Sequence, residues 1–185
     1  MPQRRLAVFF VAATALCLCA LDSGAQSGKS APADLPVVDV NGYQKVIAER
    51  QGKVILVNFW ATWCPPCRTE YPELNIVARE FEKQGVVVVG MNQDDDAELN
   101  LVRRFLEKNQ PIFKNYRVKP GIFTAFTKSL NAGWRGSLPT SFLYARDGKV
   151  AARLDGPHTR EEFAQAIRLL LARESGGRPP GAGSH

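Results

Sequence analysis

An apolar run followed at once by two closely spaced cysteines is the feature of this sequence that most restricts its fold. Val54–Trp60 has the composition of a strand, and Trp63-Cys64-Pro65-Pro66-Cys67 follows where a helical pattern begins. Two thiols three positions apart at such a junction can close one small disulfide. The first of them lies at the free N–H groups and the positive dipole end of the new helix. The pattern predicts a redox site.

The cysteine pair is better suited to thiol exchange than to structural support. A disulfide that closes so short a loop constrains the unfolded chain little, because the entropic gain grows with loop length. Zinc is disfavoured because a tetrahedral site needs further ligands, and the sequence offers only His158 and His185 besides the pair. We therefore expect no metal and no cofactor, and we interpret Cys64 and Cys67 as a reversible dithiol.

Composition is consistent with one domain that does not bind nucleic acid. The chain has 185 residues, 45% of them hydrophobic, which allows a single large core. Its formal charge is +6, but the lysines and arginines are scattered and form no cluster interleaved with aromatic residues. We interpret this charge as a solvated surface.

The N-terminal segment has the features of an export signal. Arg4-Arg5 precedes a mostly apolar stretch, Leu6–Leu21, and the small residues Ser23-Gly24-Ala25 follow. We predict a signal peptide over residues 1–25, either cleaved or retained as an N-terminal anchor, and a linker over 26–34. Cys17 and Cys19 fall within the signal, so the exported chain keeps one cysteine pair, suited to an oxidising compartment.

The rest of the chain alternates between strand and helix patterns. We predict strands over 37–40, 54–60, 86–91, 140–145 and 150–154, and helices over 42–50, 64–83, 97–108, 124–130 and from a Thr159 cap to residue 173. Asp94-Asp95-Asp96 is interpreted as N-terminal capping, residues 111–137 as mostly irregular, and residues 174–185 as a disordered tail. The order predicts an α/β fold with a central mixed sheet, helices on both faces and a C-terminal hairpin and helix.

The motifs resemble those of the thioredoxin fold, and specifically of the exported TlpA/ResA-like thiol-disulfide oxidoreductases. The segment Phe59 to Cys67, followed by Glu70, Pro72 and Leu138-Pro139-Thr140, occurs in that family's order within a domain over 35–173. The resemblance implies a bacterial periplasmic domain, soluble or anchored to the inner membrane, that passes electrons to protein disulfides, commonly in cytochrome c maturation. We expect protein thiol and disulfide substrates, a membrane electron donor and a monomer.

Each residue of the motif has an expected role. Cys64 should be exposed and act as the nucleophile, because the helix N-terminus favours its thiolate. Cys67, one turn further and more covered, should resolve the mixed disulfide by attacking Cys64. Pro65 suits the first helical position, Pro66 removes a second N–H donor, and Trp63 should lie at the rim of the site.

The resemblance also assigns roles to four further residues. Pro139 would be a cis-proline facing the disulfide, with Leu138 presenting its backbone to a substrate strand. Asn58 stands where thioredoxin has a buried aspartate that accepts a proton, which an amide cannot do. Glu70, three residues after Cys67, matches a glutamate typical of the TlpA/ResA-like group. A partly buried carboxyl there would have a raised pKa suited to proton transfer.

Three alternative functions fit parts of the same pattern. A copper chaperone of this fold would combine the two thiols with His158, although such proteins usually space their cysteines one residue wider. A peroxiredoxin-like peroxidase would need a threonine three residues before its cysteine, where this sequence has Ala61. A non-catalytic binding module would retain the cysteines without exchanging them.

Overall fold

Six strands form one mixed sheet in the described part of the chain. The computed structural model describes residues 35–130 and 133–176, so the predicted signal 1–25 and linker 26–34 lie outside it. The strands are β1 Val37–Val38, β2 Val54–Trp60, β3 Val86–Asn92, β4 Lys114–Val118, β5 Thr140–Tyr144 and β6 Val150–Asp155. Their order across the sheet is β1-β4-β3-β2-β5-β6; the first four are parallel, and β5 and β6 pair antiparallel. The predicted mixed α/β sheet is confirmed.

Helices cover both faces of this sheet. They are α1 Val40–Ala48, α2 Pro65–Phe81, α3 Leu99–Asn109, α4 Phe123–Leu130 and α5 Arg160–Gly176. Side chains of β2 alternate between the faces, as the two-residue period of a strand requires. Leu56 and Trp60 pack in the cluster that includes residues of α2, α3 and α5, whereas Val57 and Phe59 pack with residues of α1 and α4. The central strand is therefore buried on both sides.

Strand β4 was missed by the sequence analysis, which predicted irregular structure over 111–137. Its sequence, Lys-Asn-Tyr-Arg-Val, is too polar to indicate a strand inside a sheet. The fold nevertheless gives most of its buried polar groups partners, the exception among the described residues being Arg117 Nε. Asn115 Oδ1 accepts hydrogen bonds from Trp60 Nε1 (3.2 Å) and the Tyr71 hydroxyl (2.9 Å), and Arg117 Nη1 lies 2.6 Å from Asp96 Oδ1. Tertiary hydrogen bonding thus outweighs composition here.

Most predicted element boundaries differ from the structure by one or two residues, and two of the differences have a clear local cause. The first strand ends at Val38 because Asp39 caps α1, accepting a hydrogen bond from the Gly42 N–H at 2.8 Å. Helix α5 continues to Gly176, so residues 174–176, predicted as part of the tail, are helical. Glu174 has a partner that explains this, since it accepts hydrogen bonds from the backbone N–H (2.8 Å) and Nε (3.0 Å) of Arg146. The remainder of the predicted tail lies outside the described residues.

The capping interpretation of the three aspartates was wrong for Asp94. This residue is 1% exposed, and its carboxylate accepts hydrogen bonds from the Thr62 N–H (2.8 Å) and Asn92 Nδ2 (2.6 Å) and also contacts the Thr62 hydroxyl. Helix α3 begins at Leu99, after a short 3₁₀ turn over 96–98. Asp94 therefore connects the end of β3 to the loop that leads from β2 to the cysteines.

Within residues 35–130 and 133–176, no helix has the length and apolarity needed to cross a bilayer. The same residues contain no group of three or more histidine, cysteine, aspartate or glutamate side chains arranged to hold a metal ion.

Candidate active site

Cys64 and Cys67 form a disulfide at the N-terminus of α2, with their Cα atoms 5.3 Å apart. Cys64 is the N-cap residue, in an extended backbone conformation, and its Sγ accepts a hydrogen bond from the Cys67 N–H at 3.3 Å. Pro65 and Pro66 occupy the first two helical positions, where an N–H would have no partner within the helix. The helix N-terminus thus directs its positive end and a backbone donor at Cys64 Sγ.

The exposure of Cys64 differs from the prediction. In this disulfide state Cys64 is 4% exposed and Cys67 is 1% exposed, so both are buried and the prediction of an exposed Cys64 was wrong. Cys64 is bonded to Cys67 and packs with it in the core cluster that contains Trp60 and Tyr71. The preceding residue, Trp63, is 60% exposed. Trp63 therefore marks the solvent side of the site.

Glu70 is a buried carboxyl one turn beyond Cys67 on α2, and it is 3% exposed. Its Oε1 accepts a hydrogen bond from Asn58 Nδ2 at 2.6 Å, and its Oε2 accepts one from the His158 backbone N–H at 2.7 Å. The alternation of β2 explains the first contact, since Asn58 points to the same face as Leu56 and Trp60. Asn58 Nδ2 also lies 3.0 Å from Ser141 Oγ. The carboxyl is therefore held from both a strand and a loop.

Burial raises the pKa of Glu70 from 4.5 to about 7, against the opposing effect of the hydrogen bonds from His158 and Asn58. A carboxyl with this pKa exists in both protonation states near neutral pH, as a proton donor and acceptor must. From the sequence, His158 is an ordinary loop residue before the Thr159 cap, or a metal ligand in the copper-chaperone alternative, and its contact with Glu70 is not predicted. A backbone N–H leaves no signal in residue type, so this contribution could be found only from the structure.

The peptide bond between Leu138 and Pro139 is cis and lies directly before β5. Because Phe59 pairs with Thr140 and Asn58 with Ser141, this bond lies at the end of the sheet where β2 leads to the cysteines. The Pro139 carbonyl accepts a hydrogen bond from the Gly156 N–H at 2.9 Å. Leu138 has no backbone hydrogen bond to the described part of the chain. The loop thus presents unpaired backbone groups near the disulfide.

Together, the parallel strands, the cysteine pair at a helix N-terminus and the cis-proline loop define the class of thioredoxin-fold proteins with a redox-active disulfide. The Redoxin family model matches residues 26–170, and the chain belongs to the Redoxin family.

Similar proteins carry names that agree with this class. The thiol-disulfide oxidoreductase ResA of Bacillus anthracis is 32% identical over 78% of this chain and 79% of its own length. A solved thiol:disulfide interchange protein of the thioredoxin family from Chlorobium tepidum TLS is 29% identical, covers 77% of this chain and 98% of its own, and has a TM-score of 0.59. A secreted Mycobacterium tuberculosis disulfide oxidoreductase is 25% identical over 66% of this chain and 86% of its own, with a TM-score of 0.53.

These comparisons show that the chain is a thiol-disulfide oxidoreductase. They do not favour the copper-chaperone or peroxidase alternatives. The structure brings together Cys64, Cys67, Glu70 and Asn58, which the sequence analysis had singled out separately.

Proposed function

We propose that this oxidoreductase is an exported reductase that transfers electrons from Cys64 and Cys67 to disulfides of protein substrates in the bacterial periplasm. The observation that carries the proposal is the cysteine pair at the N-terminus of α2 with a buried carboxyl, Glu70, one turn further along. The secreted Mycobacterium tuberculosis relative supports export. A role in cytochrome c maturation, which the resemblance to TlpA/ResA-like proteins implies, belongs to the same proposal.

The reaction begins with the reduced dithiol. The Cys64 thiolate, favoured by the helix N-terminus, attacks one sulfur of the substrate disulfide, and a mixed disulfide forms as the substrate bond breaks. Cys67 then loses its proton and attacks Cys64 Sγ, which forms the intramolecular disulfide and releases the second substrate thiolate. Two electrons pass to the substrate, and its two thiolates take up two protons.

Glu70 is the proposed acceptor of the Cys67 proton. It follows Cys67 by one helical turn, and its pKa of about 7 matches a working pH near neutral. Asn58 and the His158 N–H fix the orientation of the carboxyl through the two hydrogen bonds described above. In this scheme Asn58 is a positioning residue. Glu70 accepts the proton that, in thioredoxin, a buried aspartate at the position of Asn58 would accept.

Substrate docking is assigned to the loop before β5. The free backbone groups of Leu138 suit an extended substrate segment, because main-chain hydrogen bonds can join a strand to an open edge whatever its side chains. Pro139 would hold that segment opposite the cysteines. A membrane donor that reduces the Cys64–Cys67 disulfide again, a monomeric state and an N-terminal segment that is cleaved or retained as an anchor complete the proposal.

Two cysteine variants test the mechanism. Cys64→Ser should abolish reduction of a protein disulfide such as that of insulin, whereas Cys67→Ser should accumulate a mixed disulfide with substrate that non-reducing electrophoresis detects. Normal turnover by Cys67→Ser would rule out the two-thiol mechanism. The direction of transfer is tested by equilibrating the pair with glutathione: a strongly negative potential supports a reductase, and a high potential would assign an oxidase or isomerase instead.

A further inference from the structure

A groove lies between the N-terminus of α2 and the outer face of α3, is lined by Trp63, the residue before Cys64, and has a volume of about 530 Å³. Its apolar part consists of Trp63, Leu101 and Phe105. Trp63 is 60% exposed and Leu101 is 49% exposed. The Phe105 ring forms a fixed floor, because its centroid lies 5.0 Å from those of both Trp60 and Tyr71 in the core. An open apolar surface on a rigid base thus includes Trp63, which directly precedes Cys64 in the chain.

The rim of this groove is basic. Arg68 from α2 and Arg104 and Lys108 from α3 line it, against one acidic residue, Glu98. All three basic side chains belong to exposed residues, and none forms an ion pair with the described part of the chain. Their charges are therefore available to a partner.

The spacing along α3 shows why these groups share one surface. Leu101, Arg104, Phe105 and Lys108 follow one another at intervals of three, one and three residues, which places them on one face of a helix. Arg103, the neighbour of Arg104, is also exposed but does not line the groove. The chain thus offers two adjacent, exposed arginines of equal charge, of which only Arg104 lines the groove.

We propose that this groove binds a segment of the protein substrate close to its disulfide, and that the segment carries acidic residues next to an apolar side chain. The proposal rests on the proposed reductase function and names the substrate class for it. A substrate that brings a disulfide to Cys64 must pass Trp63, so its neighbouring residues lie within reach of the groove. The unpaired basic rim then selects carboxylates by charge complementarity, and the apolar floor receives one aliphatic or aromatic side chain.

The test compares two synthetic peptides, each closed by one internal disulfide, in single-turnover reactions with the reduced full chain. One peptide carries the flank Glu-Leu-Asp and the other the isosteric flank Gln-Leu-Asn. The wild-type protein should reduce the acidic peptide with a second-order rate constant about ten-fold higher at low salt, mainly through tighter binding of the peptide, because several exposed ion pairs contribute. The preference should weaken at high ionic strength, where such pairs are screened.

Arg104→Glu should abolish or reverse this preference, and Arg103→Glu is the matched control because it changes the net charge equally. The control should retain most of the preference. Equal reduction of both peptides by the wild type, or an equal loss in both variants, would overturn the proposal. Dimerisation of the wild type that Leu101→Ser abolishes would also overturn it, by assigning the groove to a second copy of the chain. Failure of the reduced wild type to reduce either peptide, together with failure of its disulfide form to be reduced by dithiothreitol, would count against the proposed function itself.

Discussion

Replacing Glu70 by Gln should change how the stability of the protein depends on pH. Burial raises the pKa of Glu70 from 4.5 to about 7, so the folded protein holds this proton more tightly than the unfolded chain does. Below pH 4.5 the carboxyl is protonated in both states and the shift has no effect on stability. As the pH rises from 4.5 to about 7, the unfolded chain ionises first and the folded state loses stability. At about 1.4 kcal/mol per pH unit, the loss amounts to about 3 kcal/mol.

The glutamine variant lacks this titration. Its amide has nearly the same shape as the carboxyl, but its NH₂ group must face one of the two donors that now contact Glu70, Asn58 Nδ2 or the His158 N–H. That mismatch should cost about 1–2 kcal/mol at every pH. We therefore expect Glu70→Gln to be less stable than the wild type at about pH 4, and to gain about 3 kcal/mol relative to the wild type by about pH 8.

Urea unfolding of the disulfide form, followed by far-UV circular dichroism between about pH 4 and about pH 8.5, measures this difference directly. Other titrating groups cancel when the two proteins are subtracted at each pH. Glu73→Gln lies on the same helix and changes the net charge equally. It therefore measures how much of the pH-dependent difference in the free energy of unfolding arises from net charge alone. A difference between wild type and Glu70→Gln that stays constant across this range would refute the argument that burial shifts the Glu70 pKa.

Two substitutions away from the cysteines should lower stability through named contacts. In Gly90→Ala the new methyl group would overlap the Asn115 side chain, which accepts hydrogen bonds from Trp60 and Tyr71. We expect urea unfolding to show that the free energy of unfolding falls by about 3 kcal/mol or more. Gly176→Ala is the control and should change it little, because a Cβ at that position meets nothing within 4 Å. In Asp94→Asn, an NH₂ group replaces one of the oxygens that accept hydrogen bonds from Thr62 and Asn92. We expect a loss of about 1–3 kcal/mol, and an unchanged unfolding midpoint would contradict the role given to Asp94.

The parts of the fold that could be predicted are those in which each residue's own preference agrees with its place in the structure. The capping box at α5 is such a case, since the Thr159 N–H donates to Glu162 Oε2 at 2.7 Å and the Glu162 N–H lies 3.4 Å from Thr159 Oγ1. Asp147-Gly148 in the β5–β6 turn is another. Strand β4 and Asp94 could not be predicted, because their polar side chains are satisfied by residues far away in the sequence.

The same distinction applies to the candidate site. The spacing of Cys64, Cys67 and Glu70 is local to one helix, so the sequence alone indicates that they lie on successive turns. The burial of Cys64 comes from its packing with residues of β2 and α2 in the folded core, which the residue types next to it do not specify. The His158 N–H that holds Glu70 comes from a loop 88 residues further along the chain, and any residue except proline would supply it.

The pairing of Asn58 with Glu70 explains why this chain has an amide on the strand. Asn58 Nδ2 lies 2.6 Å from Glu70 Oε1, both residues are buried, and the amide donates to the carboxylate. An aspartate at position 58 would bring two carboxyl groups to that distance, and they could be accommodated only by sharing a proton, because two buried charges of the same sign repel. A glutamate on α2 and an aspartate on β2 are thus alternative sites for one proton. Because the carboxyl lies on the helix, its pKa is raised by the packing of α2 against β2 and against the loop that supplies the His158 N–H. The Glu70 pKa therefore depends on how tightly these three elements pack around the carboxyl.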